Sequence, residues 1–418
     1  MILTGSNICP TVCAQQTLTL NECIERAVKN NIRIKNAQNE VSMAKHTSQE
    51  AFTKYFPSIS ASGSGFNSNK SLMEMSLSPE MKMSMLKNGI IGGVTASMPL
   101  FTGGQIVNGN KLAKTGVEIS KLQYNLSENE VRLTTEKYFW QIIILKEKLQ
   151  TIATIEKQLK RLSSDVEASV NAGITTKNDL LQINIRSNET KNQRINVNNA
   201  LIFYKKLLAQ YMGMMTDSIE VSFIPNNNMP ENPNALYVNP QTSLSQTHEY
   251  QLLQQNVKAC QIQKNIAIGK NLPTIAIGGG YVYNNLLDKD DTFWVGFATI
   301  SVPLSGWWGG SHEISKQKIQ LHNAENQLTD QSQLLIIQME NTWNELNNTY
   351  QQIEIAINSI EQSTENLRLY NDYYNAGTCT MTDLLNAQTL YQQSCDQYIE
   401  AYANYEIKKR EYLQMTGR

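Results

Sequence analysis

Hydrophobic and polar residues follow a helical period over most of this chain. In two long stretches the apolar side chains recur at steps of three and four residues, which places them along one face of a helix. The first stretch carries Leu145, Leu149, Ile152, Ile155, Leu159, Leu162 and Val166, and the second carries Leu346, Tyr350, Ile353, Ile357, Ile360 and Leu367. This spacing is typical of coiled coils, so we expect each stretch to pack against a partner helix.

Each helical stretch is interrupted once, by the sequence Asn-Ala-Gly. The first interruption is Asn171-Ala172-Gly173 and the second is Asn375-Ala376-Gly377. Glycine adds backbone freedom and proline removes a backbone donor, so these residues interrupt helices most strongly. Gly173 is the only glycine or proline between residues 117 and 212, and Gly377 is the only one between 311 and 416. The pattern predicts two long helical hairpins that turn at these glycines.

Stretches that alternate small polar residues with apolar residues lie between the helices. A period of two places the polar and apolar side chains on opposite faces of a strand. We therefore predict one strand hairpin at 57–100 and another at 273–303, with strands of about ten residues, long enough to cross a bilayer. The glycine pairs 103–104 and 309–310 are expected to end the sheet and turn the chain into the long helices. The candidate wet face consists of Ser58, Ser60, Ser62, Ser64, Thr95, Ser97, Thr299 and Ser301.

The chain contains two copies of one structural unit. The pairs Pro99 and Pro303, Gly173 and Gly377, Asp179 and Asp383, and Gly213 and Gly417 are each separated by 204 residues. We predict a first repeat at 17–224, a connector rich in proline and asparagine at 225–240, and a second repeat at 241–418. In each repeat we expect a first helix (18–54 or 241–270), a strand hairpin, a long helix (105–170 or 311–374) and a return helix (176–212 or 380–415).

Composition argues against several classes of protein, including nucleic-acid-binding proteins, proteins with transmembrane helices, disulfide-rich or zinc proteins, and enzymes. The formal net charge of -1 gives no basic balance toward nucleic acid, and no run of about 20 apolar residues suggests a transmembrane helix. The six cysteines include no Cys-x-x-Cys pair and the four histidines show no ligand spacing, so neither a disulfide framework nor a zinc site is expected. No acid–base, nucleophile or metal constellation and no phosphate-binding glycine loop indicates an enzyme or a cofactor.

Residues 1–16 resemble the end of a secretory signal peptide. Val12-Cys13-Ala14 suits cleavage between small residues, although the basic segment and the strong apolar core of a complete signal are missing. A lipidated Cys9 or Cys13 is the alternative, yet neither follows the usual leucine and small residues. The segment predicts an exported protein.

The doubled order of helix, strand hairpin, long helix, glycine turn and return helix resembles the TolC-like outer membrane efflux proteins. The segments that carry the resemblance are PLFTGG and PLSGWWGG after the strands, NAGITTKNDLL and NAGTCTMTDLL at the turns, and the strand starts YFP and NLP. The resemblance extends from Leu18 to Gly417. It implies a passive, gated exit duct of a tripartite efflux or type I secretion system.

The resemblance also implies a fold and an assembly. The fold would be mainly α with a small β part, and the protein would be a homotrimer. Each protomer would give four strands to a twelve-stranded outer-membrane β-barrel and its helices to a periplasmic α-barrel. Two strand hairpins per chain are too few to close a barrel around a lumen, which independently requires oligomerisation. The implied partners are a periplasmic adaptor protein, an inner-membrane pump and outer-membrane lipid.

The two helix turns carry the candidate gate. Thr176 with Asp179, and Thr380 with Asp383, have the spacing of capping boxes, with threonine at the N-cap and an acid three residues later. In related channels, paired acids three residues apart close the pore at the second turn, and the resemblance places Asp383 and Asn386 there. Tyr374 and Asp179 match positions that bond between neighbouring hairpins, whereas Cys379 replaces the gating arginine. The remaining candidate turn residues are Asn171, Gly173, Asn375 and Gly377. A ring of Asp383 carboxylates would favour cations at a constriction.

Two further groups of residues have alternative readings. Tyr281, Tyr283, Trp294, Trp307 and Trp308 are candidate aromatics of the membrane interface, or else core aromatics of a soluble sheet. Met73, Met75, Met81, Met83 and Met85 have thioethers that could hold Cu(I), but packing along one face of an outer hairpin is the favoured interpretation.

Two other functions compete with the duct. A soluble or surface-attached coiled-coil scaffold would have long helices, but no use for two strand hairpins. A periplasmic adaptor should have one helical hairpin between split β-domains, whereas this sequence predicts two hairpins and few strands. The duct is therefore the preferred hypothesis.

Overall fold

The computed structural model describes residues 17–78, 81–85, 87–214, 219–223, 229–286, 289–304 and 306–418. The predicted signal segment at 1–16 lies outside these ranges. Within them the chain is mostly helical with a small sheet part, as predicted. None of the helices in the described ranges is both long and apolar enough to cross a membrane.

The elements follow one another in a doubled order. The first half contains β1 (Thr17–Leu18), α1 (Leu20–Asn30), α2 (Ile32–Thr53), β2 (Ser58–Asn67), β3 (Met73–Ser78), β4 (Met81–Met85), β5 (Asn88–Thr102), α3 (Gln105–Asn171) and α4 (Lys177–Tyr211). The second half contains β6 (Glu220–Val221), α5 (Pro240–Ser243), α6 (His248–Gly269), β7 (Thr274–Leu286), β8 (Lys289–Ser301), α7 (Gly306–Asn375) and α8 (Met381–Met415). Two short 3-10 helices lie at Pro233–Leu236 and Leu244–Gln246.

The chain divides into two compact units, and each unit draws on both halves of the sequence. The helix-tip unit contains the residues up to Gln38 together with Tyr124–Tyr250 and Ser332–Arg418. The sheet unit contains Asn39–Gln123 and Gln251–Gln331. These units describe packing, whereas the repeats at 17–224 and 241–418 and the connector at 225–240 describe duplication of the sequence and remain a prediction.

Four glycines end the helices of the helix-tip unit in the same way. Gly173, Gly213, Gly377 and Gly417 have φ angles of 73°, 69°, 72° and 79°, in the left-handed region that glycine adopts without strain. Each glycine N–H donates to the carbonyl three residues earlier, and the next N–H donates to the carbonyl five residues earlier. This arrangement is the Schellman motif. It explains why glycine occupies each of these four helix ends.

The first helix of each repeat is interrupted, so the prediction of continuous helices at 18–54 and 241–270 was wrong. Asn31 has an extended backbone, with φ -60° and ψ 135°, between α1 and α2. Its side chain accepts a hydrogen bond from the Arg33 N–H at 2.8 Å and donates to the Tyr211 carbonyl at 2.9 Å. The second repeat breaks at Thr247, with ψ 141°. The Asn31 break is stabilised by a contact with α4, which hydrophobic periodicity does not register.

The two predicted strand hairpins form one antiparallel sheet in the order β2-β5-β7-β8. β2 pairs with β5, β7 pairs with β8, and β5 pairs with β7 to join the hairpins. Within the described chain, β2 and β8 each have a neighbour on one side only. The sheet therefore has two unpaired edges.

The glycines that follow the sheet differ between the repeats. Gly103 and Gly104 have φ angles of 62° and 77° and lead from β5 into α3, as predicted. The corresponding prediction for Gly309 and Gly310 was wrong, because both lie inside α7. A Cβ on Gly310 would lie 1.8 Å from Oδ1 of Asn271, so the absent side chain leaves room for that residue.

About half of the predicted apolar positions of the long helices are buried, and the others are half-buried. In α3, Ile152, Ile155, Leu159 and Val166 are at most 2% exposed, and in α7 Leu346 and Ile353 are fully buried. These side chains pack against α4 and α8 in the helix-tip unit. The coiled-coil pattern thus identified the packed faces of both hairpins.

Candidate functional site at the helix turns and the sheet

An apolar cluster lies next to the two helix turns. This tip cluster consists of Ile155, Leu159, Val166, Ile183, Met381 and Leu384, none more than 3% exposed. Tyr374, near the end of α7, packs against the cluster. Because the cluster draws on α3, α4 and α8, and Tyr374 of α7 packs against it, it holds the two turns side by side.

At the second turn the predicted capping box is confirmed. The Thr380 hydroxyl donates to Oδ2 of Asp383 at 2.6 Å, and the Thr380 N–H donates to the same oxygen at 3.0 Å. In return, the Asp383 N–H donates to Oγ1 of Thr380 at 3.2 Å. The Thr380 hydroxyl and N–H hold the pKa of Asp383 below its usual value. The Asp383 carboxylate therefore remains ionised at neutral pH.

At the first turn the predicted capping box is not formed. Thr176 occupies the N-cap position of α4, but its side chain makes no capping hydrogen bond. The Asp179 carboxylate instead accepts a hydrogen bond from the hydroxyl of Thr175 at 2.5 Å. The prediction was wrong because two adjacent threonines compete for one acid, and the motif alone does not show which one binds it.

The structure brings Tyr374 close to Asp179 and Thr175. Burial raises the pKa of the Tyr374 phenol, and the negative charge of Asp179 raises it further, whereas a hydrogen bond with Thr175 lowers it. Tyr374 lies on α7, and the other two residues belong to the turn between α3 and α4. Tyr374 therefore makes a polar contact with Thr175 between the two hairpins, beside the charge of Asp179.

Sequence reasoning missed a second set of polar links between the hairpins. Thr382 donates to Gln182 at 3.1 Å, Gln388 donates to Gln158 at 3.0 Å, and Gln392 donates to Gln193 at 3.1 Å. Gln388 and Gln392 are only 5% and 7% exposed. The sequence did contain one signal for these links: Gln388 and Gln392 are four residues apart in α8, which places them on one face of the helix.

The other predicted gate residues lie around the second turn. The Cys379 thiol contacts the Tyr370 carbonyl at 3.6 Å, and burial, followed by the charge of Asp383, raises the pKa of this thiol. Asn386 is exposed one turn after Asp383 on α8, and Asn171 and Asn375 are exposed at the ends of α3 and α7. Asp383 forms no ion pair with any residue that the structure describes.

The sheet has two chemically different faces. Residues directly opposite each other in an antiparallel pair share a face. Ser58 lies opposite Ser97, with their hydroxyls 2.9 Å apart, and Ser60 lies opposite Thr95, at 3.1 Å. The register places Thr299 and Ser301 on this same serine face. It also places Phe293, Val295 and Phe297 there, so β8 is apolar on both faces, which the alternation of polar residues did not reveal.

The predicted interface aromatics occupy two places. Tyr281 and Trp294 lie opposite each other on the apolar face, with ring centroids 5.2 Å apart, and Trp294 is 81% exposed. The Tyr283 hydroxyl donates to Asp290 at 2.8 Å. Trp307 and Trp308 lie in the first turn of α7. The side chain of Trp308 is 80% exposed, and that of Trp307 is outside the described part of the chain.

The methionine-rich segment forms a separate pair of strands. In the β3–β4 register, Met73 lies opposite Met85 and Met75 lies opposite Met83. Their side chains are outside what the structure describes. The prediction that they pack along one face therefore stays a prediction.

Known proteins resemble the chain in sequence and in fold. Residues 23–214 and 239–418 match the sequence model of a family described as outer membrane efflux protein. No curated protein sequence matches the chain.

The chain has the fold of several solved outer membrane proteins. The outer membrane protein VceC from Vibrio cholerae is 13% identical with a TM-score of 0.80, covering 95% of this chain and 96% of its own. The Campylobacter jejuni CmeC outer membrane channel is 14% identical with a TM-score of 0.79, covering 95% and 85%. The open state of the Neisseria gonorrhoeae MtrE outer membrane channel is 14% identical with a TM-score of 0.78, covering 95% and 88%. With the family match extending over both halves, the chain belongs to the outer membrane efflux protein family.

Proposed function

We propose that three copies of the chain form a passive exit duct in the cell outer membrane. The duct receives small molecules or unfolded protein from a periplasmic adaptor and an inner-membrane pump. The observation that carries the proposal is the four-stranded sheet, which has two free edges and, on β2 and β5, a hydroxyl-bearing face opposite an apolar face. The family assignment favours this function over a coiled-coil scaffold or an adaptor.

The unpaired edges of β2 and β8 must pair with further strands if the sheet lies in a bilayer. An unpaired edge exposes backbone donors and acceptors, and in a bilayer these groups must be satisfied within the protein. β8 of one copy can pair with β2 of the next, which satisfies both edges and closes a barrel. Four strands from each of three copies give the twelve strands that the resemblance implies, whereas one chain alone is too small to enclose a lumen.

The two faces then have different surroundings. The face with Tyr281, Trp294 and Ile300 is oriented toward lipid, which suits the 70% exposure of Ile300 in the single chain. The serine face lines the bore, where the hydroxyls of Ser58, Ser60 and Thr95 contact water. This orientation follows the general pattern of outer-membrane barrels, apolar outside and polar inside.

The helix turns form the periplasmic gate. Asp383 supplies an ionised carboxylate in each of three copies, and a ring of such charges favours cations. The contact of Tyr374 with Thr175, and the hydrogen bond of Thr382 with Gln182, hold the two hairpins of each protomer together in the closed state. Opening requires these links to separate.

The adaptor docks at the first turn. Ile174, directly after the turn glycine, is 80% exposed, and the equivalent residue of the second turn is the polar Thr378. An exposed isoleucine offers apolar area for burial by a partner. Energy for transport comes from the pump, because the sequence contains no phosphate-binding glycine loop.

The test of the assembly is the mass of the purified protein. We expect native mass spectrometry in detergent to give three chain masses, and the trimer to persist after exchange into a second detergent. A folded, helical sample that stays monomeric in both detergents would contradict the proposed barrel, because β2 and β8 would remain unpaired.

A further inference from the structure

Two helices of the sheet unit face each other across a cleft of about 490 Å³. The lining residues on α3 include Lys111, Lys114, Thr115 and Glu118, and those on α6 are Lys258, Gln261, Ile262 and Asn265. Both sets have the spacing i, i+3, i+4, i+7, so each set forms one stripe along its helix.

The two stripes lack the residues that would bring the helices together. Closely packed helices place apolar side chains at these positions. Here Thr115 and Ile262, at 3% and 6% exposure, are the buried members of the stripes, and the others are charged or amide side chains. The cleft is therefore a consequence of the polar and charged residues in the two stripes, which keep α3 and α6 from packing closely.

The cleft has an excess of positive charge. Its lining contains Lys111, Lys114 and Lys258 and a single acid, Glu118. Glu118 is already paired with Lys121 at 2.8 Å. The three lining lysines form no ion pair with any residue in the described ranges. A concave site lined by one sign of charge concentrates ions of the opposite sign.

We propose that this cleft binds a phosphate-bearing anion. Lysine is a compact charge with three donors and is a common phosphate ligand, and the amides of Asn108, Gln261 and Asn265 add hydrogen-bonding groups. The volume falls within the usual range of small-molecule sites, roughly 300–1,000 Å³. Anion binding in this cleft does not depend on conduction. An experiment can therefore contradict the phosphate site without contradicting the proposed duct, and the reverse.

The phosphate has two sources, a soluble phosphate ester or a lipid headgroup. α3 begins three residues after β5 ends, and α6 ends five residues before β7 begins. The cleft therefore lies on the side of the sheet from which both helices emerge, and its lining on α3 extends to about 20 Å from the start of that helix. A headgroup can reach this position if the sheet is in a bilayer, and a solute can reach it from the aqueous side.

The test uses the full-length protein in nanodiscs of phosphatidylcholine, with inorganic pyrophosphate as the soluble probe. The cleft variant is Lys111→Gln, Lys114→Gln and Lys258→Gln. The control variant is Lys45→Gln, Lys54→Gln and Lys270→Gln, which removes the same charge from positions outside the cleft in the same unit; all six lysines are exposed. By calorimetry, we expect wild type and control to bind pyrophosphate at least tenfold more tightly than the cleft variant, with affinity that falls as salt is added.

The lipid arm replaces part of the phosphatidylcholine with phosphatidylglycerol and counts lipids retained by native mass spectrometry. Retention that depends on the three cleft lysines, without pyrophosphate binding, assigns the site to a headgroup, and the reverse result assigns it to a solute. The proposal is overturned if wild type holds neither probe, or if the cleft variant holds both probes as well as wild type does.

Discussion

Asp383 has an observed role in capping α8 and a proposed role in the gate, and the two can be separated by substitution. Its carboxylate accepts two hydrogen bonds from Thr380 and so caps α8. The same carboxylate carries the charge proposed for the gate. Thr380→Ala removes the two hydroxyl bonds of the capping box, keeps the backbone N–H bond and leaves the charge, whereas Asp383→Asn removes the charge and keeps the size of the side chain.

We predict that the two variants differ in ion selectivity. Asp383→Asn should lower the cation-to-anion permeability ratio several-fold, because a ring of carboxylates becomes neutral. Thr380→Ala should leave this ratio unchanged at neutral pH. The measurement is the reversal potential of single channels under a KCl gradient. Equal ratios for wild type and Asp383→Asn would remove Asp383 from the constriction.

The contact between Thr380 and Asp383 also predicts how ion selectivity depends on pH. Hydrogen bonds from Thr380 hold the pKa of Asp383 below its usual 3.8. A lowered folded-state pKa means that the stabilising contribution is present above the unfolded value and is lost as pH falls through the folded value. Thr380→Ala loses the hydroxyl bond but keeps the backbone N–H bond, so its Asp383 carboxylate should be protonated at a higher pH than in wild type. Wild-type selectivity should therefore survive to a lower pH than that of Thr380→Ala. Identical pH profiles for the two proteins would show that the capping bonds do not influence the charge.

At the level of elements, β8 offers the clearest test of which face meets lipid. Ala298 and Thr299 are neighbours on this strand and lie on opposite faces, the first with Ile277 and the second with Ala276. Lysine on the lipid face of a barrel costs on the order of 1–3 kcal/mol away from the interface. We predict that Ala298→Lys loses about this much stability in lipid vesicles and that Thr299→Lys loses little, as measured by urea titration of folding.

The opposite ranking of these two variants would mean that the serine face is turned toward lipid. Equal, small effects would mean that neither face is in a bilayer. Both variants add one positive charge to the same edge strand, so a general effect of charge does not distinguish them.

Helices and strands could be predicted from the sequence wherever one local cause decides them. The turns at Gly173 and Gly377 follow from the conformational freedom of glycine, and the buried faces of α3 follow from apolar spacing. The break at Asn31 was missed because a contact with Tyr211, distant in sequence, stabilises it. The start of α7 was misplaced because Gly310 makes room for Asn271 rather than ending the sheet.

The candidate site could be predicted only in part. The capping box of Thr380 and Asp383 agrees with their spacing, whereas the same spacing at Thr176 and Asp179 forms no box. Which threonine binds Asp179, and which glutamines link α4 to α8, depends on how the two hairpins pack together. The aromatic side chains on the serine face of β8 were overlooked because each strand was read separately, whereas the register of the four strands determines what shares a face.

For the whole molecule, the central claim is that the chain assembles into a water-filled duct. The most direct measurement is single-channel recording of purified, detergent-extracted protein in planar bilayers, with circular dichroism to verify that the sample is helical. We expect stable, discrete insertions that carry a cation-selective current. A folded, helical sample that inserts no conducting unit at any protein concentration would contradict the duct.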